Sequence, residues 1–144
     1  MVNHGGKIGR GWRLQESSRG QAMVESALTC VLFLTLLLGV IEFGYGLYCY
    51  DQVSEAAKIG TRYAIVHGAT SSSPADASAV QSWILSHVSG VDPSKVVVTT
   101  TWSPDNNPGS TVNVTVQYTF DFLEKFVPTQ TVALAAHSQG VISQ

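Results

Sequence analysis

Between Glu25 and Glu42 the chain carries no charge at all, and this run, Ser26 to Ile41, contains Leu28-Thr29-Cys30-Val31-Leu32-Phe33-Leu34 and Leu36-Leu37-Leu38. As a helix it is about 24 Å long, and counting back to Gln21 lengthens it to about 31 Å. That matches the roughly 30 Å hydrocarbon core of a bilayer if Glu25 is tolerated inside it. Just beyond the run stand Phe43, Tyr45, Tyr48 and Tyr50, the aromatic residues expected where a membrane meets water. The sequence therefore predicts one membrane span that exits near residues 43 to 50.

Charge gives the span a direction. Residues 1–20 hold Lys7, Arg10, Arg13 and Arg19 against Glu16, four basic residues to one acidic. The positive-inside rule then keeps this segment cytoplasmic and sends the carboxyl-terminal part outward, as in a single-pass protein of the cytoplasmic membrane. From Gln21 onward only Lys58, Arg62, Lys95 and Lys125 oppose nine acidic residues. With no basic patch there, nucleic acid is not an expected partner. At 144 residues, one small domain is all that remains once the span is set aside. Cys30 and Cys49 are about 28 Å apart along one helix, too far to pair within the chain. Cys30 reads as a small packing residue, and Cys49, near the outer interface, is a candidate for a contact or cross-link with a neighbour.

A basic stretch before an apolar run fits a secretory signal peptide, an uncleaved signal anchor or a prepilin leader. A signal peptide is cut after its apolar region, and Glu42-Phe43-Gly44-Tyr45-Gly46 offers no convincing site. The small residue comes first instead, in Arg19-Gly20-Gln21-Ala22-Met23-Val24-Glu25. This arrangement resembles the type IV prepilin cleavage motif, which implies a cut between Gly20 and Gln21 by a prepilin peptidase. A carboxylate inside a bilayer costs about 2.5–3.5 kcal/mol on insertion scales, so Glu25 requires a partner or a role. The resemblance implies that the amine freed on Gln21 meets Glu25 of an adjacent subunit and sets the register of assembly. The simpler reading is that Glu25 lies at headgroup level and suits the positive end of the helix dipole.

The likeness extends from Gly20 to Gly68. Gly20-Gln21-Ala22 with Glu25, Ile41-Glu42-Phe43-Gly44, and Ala56-Ala57-Lys58-Ile59-Gly60-Thr61-Arg62-Tyr63-Ala64 together resemble the signature region of TadE-like proteins of the Flp, or tight-adherence, pilus. Ser26 stands where the short major pilins of that system usually have tyrosine, and the part after Gly20 is far longer than they are. The resemblance therefore implies a minor pilin or pseudopilin, whose partners are the prepilin peptidase, other pilin subunits, the pilus assembly machinery and inner-membrane lipid. Glu42 either contacts a neighbouring helix or marks the outer end of the span.

Past the span, Cys49, Val53, Ala56, Gly60 and Tyr63 recur at helical spacing and predict a buried face, with Asp51, Glu55, Lys58 and Arg62 on the solvated side. Pro74 and Asp76 suit the start of a second helix, whose apolar face is Val80, Trp83, Ile84, Leu85 and Val88 and which stops by Gly90. Val96–Trp102 reads as a strand. Strict alternation at Val112, Val114, Val116, Tyr118 and Phe120 predicts its half-buried hairpin partner, and Thr129–His137 a third strand. The expected class is α+β, a long amino-terminal helix on a small antiparallel sheet. Its parts are a leader (1–20), a transmembrane helix (21–48), an extramembrane continuation (49–68) and an outer domain (69–144).

No catalytic chemistry is expected. His137-Ser138-Gln139-Gly140 lacks the leading glycine of a nucleophile elbow, and too little chain follows it for the remaining triad members. His4, His67, His87 and His137 have no metal-ligand spacing, and no cofactor motif is present. A second reading of the whole is an uncleaved, membrane-anchored binding or assembly subunit of a secretion complex.

Overall fold

The computed structural model describes residues 1–2, 12–122 and 131–143, with side chains in the first helix described from Arg19 onward. Residues 3–11 of the expected leader, His4 among them, and the first two residues of the expected third strand lie outside the described residues. The element order is α1 (Trp12–Val66), α2 (Ala77–His87), a 3₁₀ turn (Pro93–Lys95), β1 (Val96–Ser103), β2 (Thr111–Asp121) and β3 (Thr131–Val141). This is the α+β class expected. The chain forms two compact units, Met1–Ile41 and Glu42–Gln144.

In the first unit every residue from Arg19 to Ile41 is exposed. No proline interrupts α1, and its most apolar window has a mean hydropathy of 2.3 with none of it covered by the protein. The two threonine hydroxyls in the run are neutralised locally. Thr29 Oγ1 donates to Glu25 O at 2.9 Å and Thr35 Oγ1 to Val31 O at 2.8 Å, the back-bonding that lets a helix carry hydroxyls without asking water for a partner. The helix is long and apolar enough to cross a membrane.

The second unit is a two-layer sandwich of helix and sheet. The strands run antiparallel in the order β1-β2-β3, with Val98 opposite Val116 and Val116 opposite Ala136. Alternation along β2 turns Val112, Val114, Val116, Tyr118 and Phe120 to one buried face, each apolar side chain contributing about 1.5–3 kcal/mol by leaving water. Against that face α1 sets Cys49, Val53, Ala56, Ala57, Gly60, Thr61 and Ala64, all buried. The predicted solvated residues Asp51, Glu55, Lys58 and Arg62 are all exposed.

Small residues on α1 are a requirement of this contact. A Cβ at Gly60 would run into the Ile84 side chain and stand 3.2 Å from Val114 Cγ1, so glycine is what lets α2, β2 and α1 meet there. Buried Thr61 shares its proton between Ala57 O at 2.9 Å and Ser138 O at 3.1 Å, which ties the helix to β3. Three carbonyls of the last turn of α1, at Tyr63, Ala64 and Ile65, then find partners, as a helix end demands. His67 Nδ1 lies 2.8 Å from Tyr63 O, His67 N–H donates to Ala64 O, and Ser143 N–H donates to Ile65 O at 3.1 Å.

Asp76 caps α2 as expected. Its carboxylate accepts from Ala79 N–H and Ser78 Oγ, both at 2.7 Å, and these bonds, the Ala79 amide first, hold it below the usual carboxylate range. The helix ends at His87, short of Gly90, which instead takes a left-handed φ of +78° in the following loop with the Tyr48 ring against it. β3 continues four residues past the expected His137. Ser138 and Gly140 pair with Val114 and Val112, so the segment read for a hydrolase-like motif is ordinary strand.

Candidate functional site

Gly20 and Gln21 lie inside α1, exposed and in helical conformation. A glycine within a helix costs roughly 0.5–1 kcal/mol relative to alanine, yet a Cβ at Gly20 would meet nothing within 4 Å. Unlike Gly60, Gly20 answers no packing need among the described residues. Gly39 and Gly44 share this openness, and they fall where small residues let membrane helices approach one another.

Glu25 stands one helical turn further, exposed, with open furrows on either side of it. One is lined by Ala22, Ser26, Thr29, Cys30 and Phe33, the other by Gly20, Gln21, Val24 and Leu28. Among the described residues no hydrogen bond or ion pair reaches its carboxylate, because the bond from Thr29 uses the backbone carbonyl. The fold thus brings Gly20, Gln21 and Glu25 onto two adjacent turns of one bare helix.

The remaining two candidates belong to the second unit. Glu42 is half-buried at its start. Cys49 is fully buried in the core with Val53 and Ala56, which corrects the expectation of a thiol offered to a neighbour. The sheet covers the side of the helix on which Cys49 lies, and the sulfur packs as a small apolar group. Cys30 is the exposed thiol.

Two clusters escape a reading of the sequence. Tyr45 meets Phe120 with ring centroids 5.6 Å apart, and Phe120 meets Phe122 edge-on at 5.2 Å, which joins the aromatic residues after the apolar run to the end of β2. Tyr63 stacks on Trp83 at 4.7 Å, flanked by His67 at 4.1 Å and His87 at 4.2 Å, and this four-ring ladder fastens α2 to α1. The helical spacing of Tyr63 with His67, and of Trp83 with His87, was the signal for each half. Nothing local announced that the halves meet. Among the described residues no group of His, Cys, Asp or Glu is placed to hold a metal ion.

These features define a helix able to span a membrane once, carried into a small α+β domain. Residues 20–62 match the family described as TadE-like protein, so the segment from Gly20 to the last turns of α1 is similar to that family. The matched segment takes in Gly20, Gln21, Glu25, Glu42 and Cys49. Searches of curated proteins and of solved structures gave no match.

Proposed function

We propose that this chain is a non-catalytic minor pilin or pseudopilin of a tight-adherence pilus, stored in the inner membrane with residues 1–20 cytoplasmic and the domain outside, and cut after Gly20 by a prepilin peptidase. The TadE-like segment, which begins at Gly20, is the observation that carries the reading. The geometry supports it in two ways. Among the described residues Gly20 has no packing role, as suits a residue selected for a peptidase's narrow subsite, and Glu25 has no partner on a surface fit for lipid.

An unpaired carboxylate in hydrocarbon favours any arrangement that brings it a cation. The amine exposed on Gln21 by cleavage, with an ordinary pKa near 7.7–8.0, supplies one from a neighbouring subunit. Before cleavage that nitrogen is a peptide amide and carries no charge, so processing would license assembly. Exchanging Glu25 for Gln tests the pairing directly: cleavage should proceed while incorporation into pili falls. Wild-type piliation in that strain would reduce Glu25 to a bystander. An uncleaved assembly subunit of a secretion complex is the competing reading, and it predicts a chain that keeps its first twenty residues.

A further inference from the structure

The chain immediately after the apolar run is covered on one side only. Gly46 and Cys49 face the sheet, Gly46 lying under Phe120, whereas Phe43, Leu47 and Tyr50 are 68%, 54% and 49% exposed. Large apolar side chains left open on a turn that follows a membrane span belong at the lipid interface. The domain's own residues lie at the same level of the helix. Tyr45 touches Phe120, which touches Phe122, and Tyr48 closes on Gly90 in the loop after α2. If lipid reaches Leu47 on the open side, it also reaches the end of β2 and the Ser89–Gly90 loop.

We infer that this end of the domain, formed by Phe122 and the Ser89–Gly90 loop around Tyr45 and Tyr48, is a second membrane contact that seats the domain directly on the bilayer surface. The occupant is the headgroup and upper acyl region of the bilayer that the preceding helix spans. The local charges suit that depth. Lys95 and Asp121 form an ion pair at 2.5 Å between the start of β1 and the end of β2, and hydrogen bonding to Asp121 pushes the Lys95 ammonium up, keeping it charged. Its paired head can remain among headgroups while its stem lies on apolar surface. The opposite end of the sheet, where Val141 pairs with Thr111, is ten strand residues from Asp121, about 33 Å away along β2. It stands clear of the membrane.

The inference rests on the membrane-span reading, so the test separates the two. Single tryptophans are introduced into the full chain at Ser89, Phe122, Leu34 and Val141, and each protein is reconstituted into phosphatidylcholine–phosphatidylglycerol vesicles with or without bromine on the upper acyl chain. Emission of the parent, which has Trp12, Trp83 and Trp102, is subtracted. Leu34→Trp should lose most of its emission to bromine, and Ser89→Trp and Phe122→Trp should lose a comparable share, while Val141→Trp keeps its own. Ser89 is exposed, so its variant remains informative if Phe122→Trp disturbs packing. Quenching at Leu34 with neither Ser89 nor Phe122 exceeding Val141 overturns the second contact alone. Absence of quenching at Leu34 overturns the span and this inference with it.

Discussion

Replacing Gly60 with alanine adds one methyl group where α1 meets α2 and β2. The added carbon would collide with the Ile84 side chain and press on Val114 Cγ1 at 3.2 Å, and both neighbours are fully buried, so neither can swing into solvent. Overpacking of this kind costs about 1–3 kcal/mol. Alanine in place of glycine within a helix returns about 0.5–1 kcal/mol, leaving a net loss on the order of 0–2.5 kcal/mol. The collision has a named partner, so the cost should vanish when that partner is removed. Ile84→Ala alone should destabilise by about 2–5 kcal/mol through its cavity. In that background the methyl group at position 60 fills space and keeps its helix advantage, so Gly60→Ala should become neutral or stabilising. The four proteins of this double-mutant cycle, unfolded by denaturant as full chains in detergent and followed by Trp83 and Trp102 fluorescence, give the coupling directly. An equal cost for Gly60→Ala in both backgrounds would refute the argument that contact with Ile84 requires glycine there.

Gly20→Ala should leave insertion unchanged and should not destabilise the chain, because among the described residues its Cβ meets nothing within 4 Å and alanine favours the helix, while blocking processing in cells with active prepilin peptidase; normal shortening on an immunoblot would place the cut elsewhere. Cys49 should resist a thiol reagent in the native protein and react readily after unfolding, and equal rates in the two states would show that the core is not closed around it. Asp76, Asp92 and Asp105 all have carboxyls held below their ordinary value, chiefly by hydrogen bonds from Ala79, Ser94 and Ser110 respectively. A depressed carboxylate contributes stability that is fully present above its unfolded pKa of about 3.9 and fades as pH falls through the folded value. Asp76→Asn, which keeps an acceptor at the N-cap, should therefore retain stability at neutral pH and flatten the loss below about pH 4 in an acid titration followed by circular dichroism.

The elements legible in the sequence were those whose periodicity is enforced by a single partner surface. β2 is central and half-buried, so Val112 to Phe120 alternate strictly, and Asp76 announced α2 because a cap acts within one turn of chain. Boundaries and placements set by tertiary contact were less visible. β3 runs on to Val141 because Ser138 and Gly140 lie under Thr61 and Ile65 of α1, a contact across more than seventy residues. Cys49 was read from its distance along the span, yet its fate depends on which side of the helix the sheet covers. The same blindness applied to Tyr45 and Phe120. Gly20, Gln21 and Glu25 stand out as a motif because their order along the chain carries the signal, and among the described residues Gly20 has no packing duty to explain it.

Intact-mass spectrometry of the protein from native membranes reports whether the bond between Gly20 and Gln21 is cut. Mass is a better readout than amino-terminal sequencing, since a glutamine at the new terminus can cyclise and block the chemistry. With prepilin peptidase active, the mass should be that of Gln21–Gln144, with or without loss of ammonia from Gln21, and the full-length mass should return when the peptidase is deleted. A full-length mass in both strains would contradict the account.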